Sequence, residues 1–151
     1  MMADSFRPRS PQAMESTIPL VPHQPPLLLI NEVREANGEQ CTTLTRVDPG
    51  AWYADPDGAM PAWFGLELMA QTISAYSGNR QKHLGIAPRF GYLLGTREYA
   101  CEVPSFPAGA LLEVEARVHY ADAMGLSAFA CELRCDGVIL ARAILKVYEP
   151  A

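Results

Sequence analysis

The feature that most constrains the fold of this chain is one long segment that is apolar on nearly every side. Between residues 61 and 78, apolar side chains recur at helical spacing, and further apolar residues fill the opposite face. Pro61 suits the first position of a helix and Gly78 suits its end, so the pattern predicts one helix over these residues. A helix that is apolar nearly all round is a buried helix. The rest of the chain must therefore surround it.

Strand patterns flank this helix on both sides. Apolar and polar residues alternate most clearly after residue 111, and Asn37-Gly38 and Asp136-Gly137 are typical of hairpin turns. Residues 48–60 are rich in proline, glycine and small residues, which indicates a loop. The predicted strands are 27–36, 39–47, 90–100, 111–120, 126–135 and 138–148. The sequence thus predicts an α+β fold in which a curved antiparallel sheet wraps a single central helix.

Length and composition indicate one folded domain. The chain has 151 residues, 49% of them hydrophobic and 19% charged, which is typical of a globular protein. Residues 1–18 lack periodicity and are expected to form a flexible tail, which leaves residues 19–151 as the domain. The net charge of −5 argues against nucleic acid as a partner. No apolar run approaches the roughly 20 residues that a membrane span needs.

The cysteines and the amino-terminal residues bear on the compartment. The four cysteines form no CxxC pair and lie at no zinc-finger spacing from a histidine, so neither a metal site nor a disulfide framework is predicted. The first residues carry no apolar signal segment. We expect free thiols and a cytoplasmic protein.

Glu67 is the residue that does not fit a buried helix. It is the only charged residue between Gly58 and Asn79. A carboxylate buried without a partner costs several kcal/mol unless it is neutralised, and such groups often have a function. Gln71 lies one turn further on and can hydrogen-bond it. A structural carboxylate that caps a backbone group or pairs with an arginine is an equally good interpretation of periodicity alone.

Four motifs in the chain resemble those of the hotdog-fold 3-hydroxyacyl-ACP dehydratases. Residues 60–71, MPAWFGLELMAQ, resemble the central-helix pattern in which M-P-G is followed by E-x-M-A-Q. Three shorter motifs match in the same order: PHQPPLLLI at 22–30, YLLG at 92–95 and FPAG at 106–109. The resemblance covers about residues 20–149. It implies a hotdog domain that dehydrates 3-hydroxyacyl chains carried on the phosphopantetheine arm of an acyl carrier protein, with no other cofactor.

One departure from the family pattern concerns the catalytic histidine of G-H-F-P-G. Counting back from Glu67 without gaps places Tyr53 at that position. In this respect the chain is similar to the branch associated with aryl polyene biosynthesis, which lacks that histidine. Glu67 is then the expected acid at the 3-hydroxyl, and His23, in a proline-fixed segment, is the candidate base. The alternative for His23 is a structural histidine that hydrogen-bonds backbone at this turn or at a dimer interface. His119 is interpreted as a solvated residue and His83 as a surface or docking residue, and Tyr53 is either a substrate hydrogen-bond donor or pocket wall.

The remaining expected site residues surround the helix. Free N–H groups at Ala62 or Trp63 can polarise the thioester carbonyl, with Ala62 at the position of the family's glycine. The resemblance adds Gln71 and Gly95 to the substrate site. Four basic residues are candidates for steering the acidic carrier protein, and an ordinary solvated helix end explains them equally well. They are Arg80, Lys82, Arg89 and Arg97.

Two further expectations concern assembly and alternative activities. The resemblance implies at least a homodimer joined edge to edge, or a hetero-dimer with a related hotdog protein, with a pocket that can draw His23 and Glu67 from different subunits. A thioesterase in which Glu67 activates water is one alternative. A non-catalytic acyl-binding subunit that pairs with an active homologue is another. The fold alone does not decide among these functions.

Overall fold

In the part of the chain that the structure describes, a six-stranded antiparallel sheet wraps around one long helix. The computed structural model describes residues 27–87 and 91–150. In these ranges the large sheet has the strand order β1-β2-β6-β7-β8-β4, and β3 and β5 form a separate two-residue ladder. The elements are β1 (Glu32–Ala36), β2 (Gln40–Arg46), β3 (Met60–Pro61), α1 (Phe64–Leu84), β4 (Tyr92–Cys101), β5 (Ser105–Phe106), β6 (Leu111–Ala121), β7 (Leu126–Cys135) and β8 (Val138–Tyr148). The predicted α+β architecture is confirmed.

The core lies between the helix and the inner face of the sheet. Along β6 the inner side chains are buried, while Glu113, Glu115 and Arg117 point to the outer face and form ion pairs there. This alternation follows directly from the two-residue period of a strand. Buried residues of β6, β7 and the helix meet in one cluster, which includes Leu112, Val114, Leu133, Leu68, Met69 and Ile73.

The helix ends six residues later than the sequence predicts. Gly78 lies inside α1, which runs to Leu84 and is capped by Gly85 at φ 68°. The last turn continues because buried Gln81 donates a hydrogen bond to the Glu149 carboxylate just beyond β8. Gly85 then supplies the left-handed conformation that closes a helix. The helix continues past Gly78 because Gln81 bonds Glu149, a residue that lies far away in the sequence.

The helix also begins later than predicted, at Phe64 instead of Pro61. Pro61 pairs with Ser105 in the β3–β5 ladder. The Ala62 N–H donates to the Pro104 carbonyl oxygen at 3.1 Å. Residues 60–62 are therefore held as an extended segment and turn before the helix can begin.

The segment before β1 departs from the predicted strand 27–36. The strand ladder begins only at Glu32, because the backbone N–H groups of Leu29 and Ile30 bond to the Gln71 side chain and not to a neighbouring strand. The tail 1–18, the 22–26 segment with His23, and Arg89 and Phe90 lie outside the described residues. The other predicted strands agree with the structure to within two residues at each described end, and the short strands β3 and β5 are additional.

Both predicted hairpins are present, but their turns are built differently. At the β7–β8 turn Asp136 and Gly137 have φ values of 52° and 78°, the pattern of a type I′ turn. At the β1–β2 turn Gly38 does not take a positive φ. Instead, the Asn37 side-chain oxygen accepts the N–H groups of Glu39 and Gln40 at 2.8 and 3.1 Å. The asparagine therefore shapes this turn.

All four cysteines are free thiols. Burial raises the pKa of the Cys41 and Cys131 thiols to about 12, so both are protonated at neutral pH.

Within the described ranges no helix is both long enough and apolar enough to cross a membrane.

The glycines of the two hairpin turns, Gly38 and Gly137, give a matched test of the difference between the β1–β2 and β7–β8 turns. A Cβ atom on Gly38 or on Gly137 would meet no atom within 4 Å, so only the backbone conformation separates the two sites. We expect Gly137→Ala to lower the free energy of unfolding by about 1–2 kcal/mol, because the left-handed conformation strains a Cβ. Gly38→Ala should leave it unchanged or raise it by up to ~1 kcal/mol. Urea unfolding of both variants measures the difference, and equal losses would contradict the assigned turn types.

Candidate functional site around Glu67

Glu67 lies in the first turn of α1, where it is partly exposed. The predicted bond to Gln71 is present, with Gln71 Nε2 donating to Glu67 Oε1 at 3.2 Å. The two residues are four apart and share a helix face. Holding one carboxyl oxygen restricts rotation of the carboxyl plane, so Glu67 is presented in a fixed orientation.

Gln71 is fully buried and connects the helix to the segment that precedes β1. Its side-chain oxygen accepts the N–H of Leu29 at 2.9 Å and that of Ile30 at 3.4 Å. Its nitrogen donates to the Leu27 carbonyl oxygen at 2.7 Å as well as to Glu67. Both amide hydrogens and both oxygen lone pairs are thus used, which fixes which end of the amide is oxygen. A single side chain therefore sets the Glu67 carboxyl and anchors residues 27–30 beside it.

The three histidines have different positions relative to this site. His23 lies outside the described residues, four positions before the Leu27 carbonyl that Gln71 anchors. His119 is exposed on β6, as expected. His83 is also exposed, and its Nδ1 lies 2.9 Å from the Asn79 carbonyl oxygen. His83 lies in the last turn of α1, roughly 24 Å along the helix axis from Glu67, and no described hydrogen bond joins His119 to Glu67. His23 therefore remains the candidate base.

The backbone contacts at the start of α1 show which N–H groups are available to polarise a thioester carbonyl. The Ala62 N–H is not free, because it bonds the Pro104 carbonyl oxygen. Among the described residues, the N–H groups of Trp63 and Phe64 meet no backbone acceptor, and no side chain caps the helix. Such unsatisfied N–H groups form an anion-stabilising site at a helix start. Of the two donors expected from the sequence, only Trp63 is available.

An aromatic cluster stands next to this helix start. Tyr53 is 9% exposed and packs against Trp52 and Phe64, with ring centroids 5.9 and 5.7 Å away. Its hydroxyl accepts the Asp48 N–H at 2.8 Å. Burial raises the pKa of the Tyr53 phenol, so the group keeps its proton at neutral pH. Trp63 extends the cluster outward, its ring centroid 6.0 Å from that of Phe64 and its side chain 69% exposed.

Gly95 and one of the basic residues lie on β4, an edge strand of the sheet. The β4–β8 register shifts between Leu93 and Gly95. The strand exposes Tyr92, Leu93 and Leu94, which is unusual for large apolar side chains. Arg97 is exposed on the same strand, and Arg80 and Lys82 are exposed at the end of α1. Arg89 lies outside the described residues. The structure does not bring Gly95 or the basic residues into contact with Glu67 by any hydrogen bond or ion pair that it describes.

Sequence reasoning missed Tyr99, a half-buried residue of β4. Its hydroxyl donates to the Ala62 carbonyl oxygen at the helix start. Only the distance in sequence between the two residues hid this contact. The unusual glycine at position 65, inside the helix, is the one local signal that a neighbouring group approaches closely.

A second concave surface lies on the outer face of the sheet. It has a volume of about 210 Å³ and is lined by Arg34, Leu44, Glu113 and Arg134 among others. Its charges are paired with one another, since Arg34 and Arg134 contact Glu113 at 2.7 and 3.6 Å. This surface is an ion-pair network and is separated from Glu67 by the sheet.

The chain is similar to known dehydratases. Residues 16–151 match the model of the ApeP-like family, described as ApeP dehydratase. The chain is 31% identical over 141 residues to the 3-hydroxyacyl-[acyl-carrier-protein] dehydratase FabZ of Bartonella quintana (strain Toulouse), an alignment that covers 86% of this chain and 84% of that protein.

Two solved structures illustrate the range of similar folds. The dehydratase heterocomplex ApeI:P from Xenorhabdus doucetiae contains a chain that is 29% identical, with a TM-score of 0.84 and coverage of 89% of this chain and 91% of that one. A hypothetical thioesterase protein with coenzyme A from Streptococcus pneumoniae TIGR4 is 11% identical, with a TM-score of 0.63 and coverage of 80% and 85%. The second likeness shows the hotdog fold alone.

The family match spans all of the described residues, including Glu67, Gln71 and the helix start that carries the Trp63 N–H. The chain belongs to the ApeP-like dehydratase family.

Proposed function

We propose that the chain removes water from a 3-hydroxyacyl thioester carried on an acyl carrier protein and forms the trans-2-enoyl thioester. The observation that carries this proposal is the juxtaposition of an oriented carboxyl group with an available N–H donor. Glu67 is held by Gln71, and Trp63 lies four residues earlier on the same side of the helix. The FabZ relative, whose name states this reaction, supports the same assignment.

The reaction needs an acid, a base and a group that stabilises the thioester oxygen. The base removes the proton from C2, and the charge that develops on the thioester oxygen is stabilised by the Trp63 N–H at the helix start. The bond between C3 and its oxygen breaks, and Glu67 gives its proton to the leaving oxygen, which departs as water. The base then holds the C2 proton and Glu67 is ionised, and exchange with solvent restores both groups.

His23 is the residue that we assign as the base. Leu27 is fixed to Gln71, one helical turn from Glu67. Four residues span at most ~14 Å, so the chain length from Leu27 keeps His23 near this part of the molecule. Tyr53 is the less suitable candidate, because its hydroxyl already accepts the Asp48 N–H and burial raises its pKa.

The edge strand β4 is the surface that we assign to pairing with a second hotdog chain, either another copy or a related protein. An edge strand offers unpaired backbone groups, and here it also exposes three large apolar side chains. The heterocomplex to which the chain is similar supports a related partner.

Arg80, Lys82 and Arg97, with Arg89, remain the proposed contacts to the acidic carrier protein. A cytoplasmic location remains a prediction.

The thioesterase alternative has support from the fold alone. The similar thioesterase structure shares 11% identity, and hotdog folds carry more than one activity. A non-catalytic binding subunit is the other alternative. Products separate all three: the dehydratase changes the acyl mass by one water, the thioesterase releases a free thiol, and the binding subunit does neither.

Replacing Glu67 tests its assignment as the acid. We expect Glu67→Gln to reduce dehydration of a 3-hydroxyacyl carrier protein by roughly a hundredfold or more, because the amide cannot donate the required proton. Mass spectrometry of the acyl chain measures the loss of water, in this chain alone and with its hotdog partner present. Glu39→Gln is the matched control, since Glu39 is an exposed hairpin residue. Full activity in the folded Glu67→Gln variant would exclude Glu67 as the acid.

Replacing His23 tests the base separately. We expect His23→Ala to lower turnover by roughly a hundredfold, because an alanine cannot accept the C2 proton. His119→Ala is the control, since that imidazole is exposed on the outer face of β6. Hydration of the enoyl carrier protein, followed in the reverse direction, provides the rate. Unchanged turnover in His23→Ala would transfer the role of the base to another residue, with Tyr53 the next to be replaced.

A lysine on β4 tests the assigned pairing edge. We expect Leu94→Lys to shift the chain toward monomer, because pairing would bury a charge where a leucine side chain is now 57% exposed. Light scattering with and without a related hotdog partner measures the mass of the assembly. Met124→Lys is the control, because Met124 is 82% exposed outside the strands. An unchanged mass in Leu94→Lys would place the interface elsewhere.

A further inference from the structure

The peptide group between Ala62 and Trp63 is held by an unusual number of contacts. The Ala62 carbonyl oxygen accepts the Gly65 N–H at 3.0 Å and also the Tyr99 hydroxyl. The preceding Ala62 N–H bonds the Pro104 carbonyl oxygen at 3.1 Å. The Ala62–Trp63 peptide is therefore held by the helix and by β4, and the peptide before it is held by the segment that precedes β5.

Two local features allow Tyr99 to reach this carbonyl group. The β4–β8 register shifts between Arg97 and Ala100, and Glu98 has a φ of 52°, which is rare for a residue with a Cβ. The resulting bulge aims the next side chain toward the helix. On the helix, a Cβ atom at Gly65 would collide with the Tyr99 hydroxyl. A strained residue and a glycine inside a helix both serve the same contact.

We propose that Tyr99 is a positioning residue that aims the Trp63 N–H, and this inference rests on the proposed function of that donor. The Ala62 C=O and the Trp63 N–H belong to one planar trans peptide, so they point in opposite directions. Fixing the direction of the carbonyl group therefore fixes the direction of the N–H. A hydrogen bond to the carbonyl oxygen also polarises the peptide and makes its N–H a stronger donor.

The chemistry of Tyr99 suits this role over the neutral pH range. Its side chain is half-buried, and burial raises the pKa of its hydroxyl above the usual value. The phenol therefore keeps the proton that it donates to Ala62. Tyr99 has no described hydrogen bond to Glu67 or Gln71, so its effect should appear in stabilisation of the thioester oxygen and not in orientation of the carboxyl group.

The test compares Tyr99→Phe with Tyr76→Phe. Tyr76 also donates its hydroxyl to a backbone carbonyl, that of Gly38 at 2.9 Å, but at the opposite end of the fold. Loss of either hydroxyl should lower Tm to a similar extent. We expect Tyr99→Phe to lower kcat about tenfold with little change in KM, because deleting an oxyanion donor outright costs roughly a hundredfold or more and this change only loosens one. Tyr76→Phe should keep the wild-type kcat.

A second measurement reports on the Trp63 N–H itself. The amide resonance of Trp63 should shift when a saturated acyl carrier protein binds to the wild-type protein and to Tyr76→Phe, and the shift should be reduced in Tyr99→Phe. A wild-type kcat in folded Tyr99→Phe, or equal losses of kcat in both variants, would overturn this inference alone. A wild-type protein that never dehydrates its substrate, alone or with its hotdog partner, would overturn the proposed function and this inference with it.

Discussion

A single buried amide, that of Gln71, holds together the parts of the structure on which the site depends. It satisfies three backbone groups of residues 27–30 and one oxygen of Glu67. Each of those backbone groups would cost free energy if it were buried without a partner. The Gln71 side chain that stabilises residues 27–30, just before β1, is thus the same side chain that orients the carboxyl group of Glu67, the candidate acid. The stability of residues 27–30 and the orientation of the proposed acid depend on the same side chain, which restricts what can replace Gln71.

The start of the helix depends on a second set of contacts. Pairing of Met60 and Pro61 with β5 delays the helix to Phe64, and this delay places Glu67 in the first turn. Had the helix begun at Pro61, an intrahelical bond would occupy the Phe64 N–H, whereas the Trp63 N–H would still lack an intrahelical partner. The short β3–β5 ladder therefore leaves a second N–H group, that of Phe64, available beside that of Trp63 and one turn from the Glu67 carboxyl group.

The sequence predicted what depends on local periodicity and missed what depends on distant partners. The strands around Val114 and Ala143 follow from alternation, and the bond between Glu67 and Gln71 follows from helical spacing. The end of the helix did not follow, because Gln81 bonds Glu149 across the fold. The delayed start of β1 did not follow either, because the N–H groups of residues 29 and 30 bond to the Gln71 side chain, which lies 42 and 41 positions away.

Tyr99 shows why a site of this kind resists sequence reasoning even when its family is recognised. Glycine in a helix and a strained glutamate in a strand each run against a local preference. Taken singly, each is a weakness of its element. Taken together, Gly65 and Glu98 serve one contact, the hydrogen bond from the Tyr99 hydroxyl to the Ala62 carbonyl oxygen. Residues that disfavour their own helix or strand are tolerated in a fold when several of them maintain one contact that must be held in place.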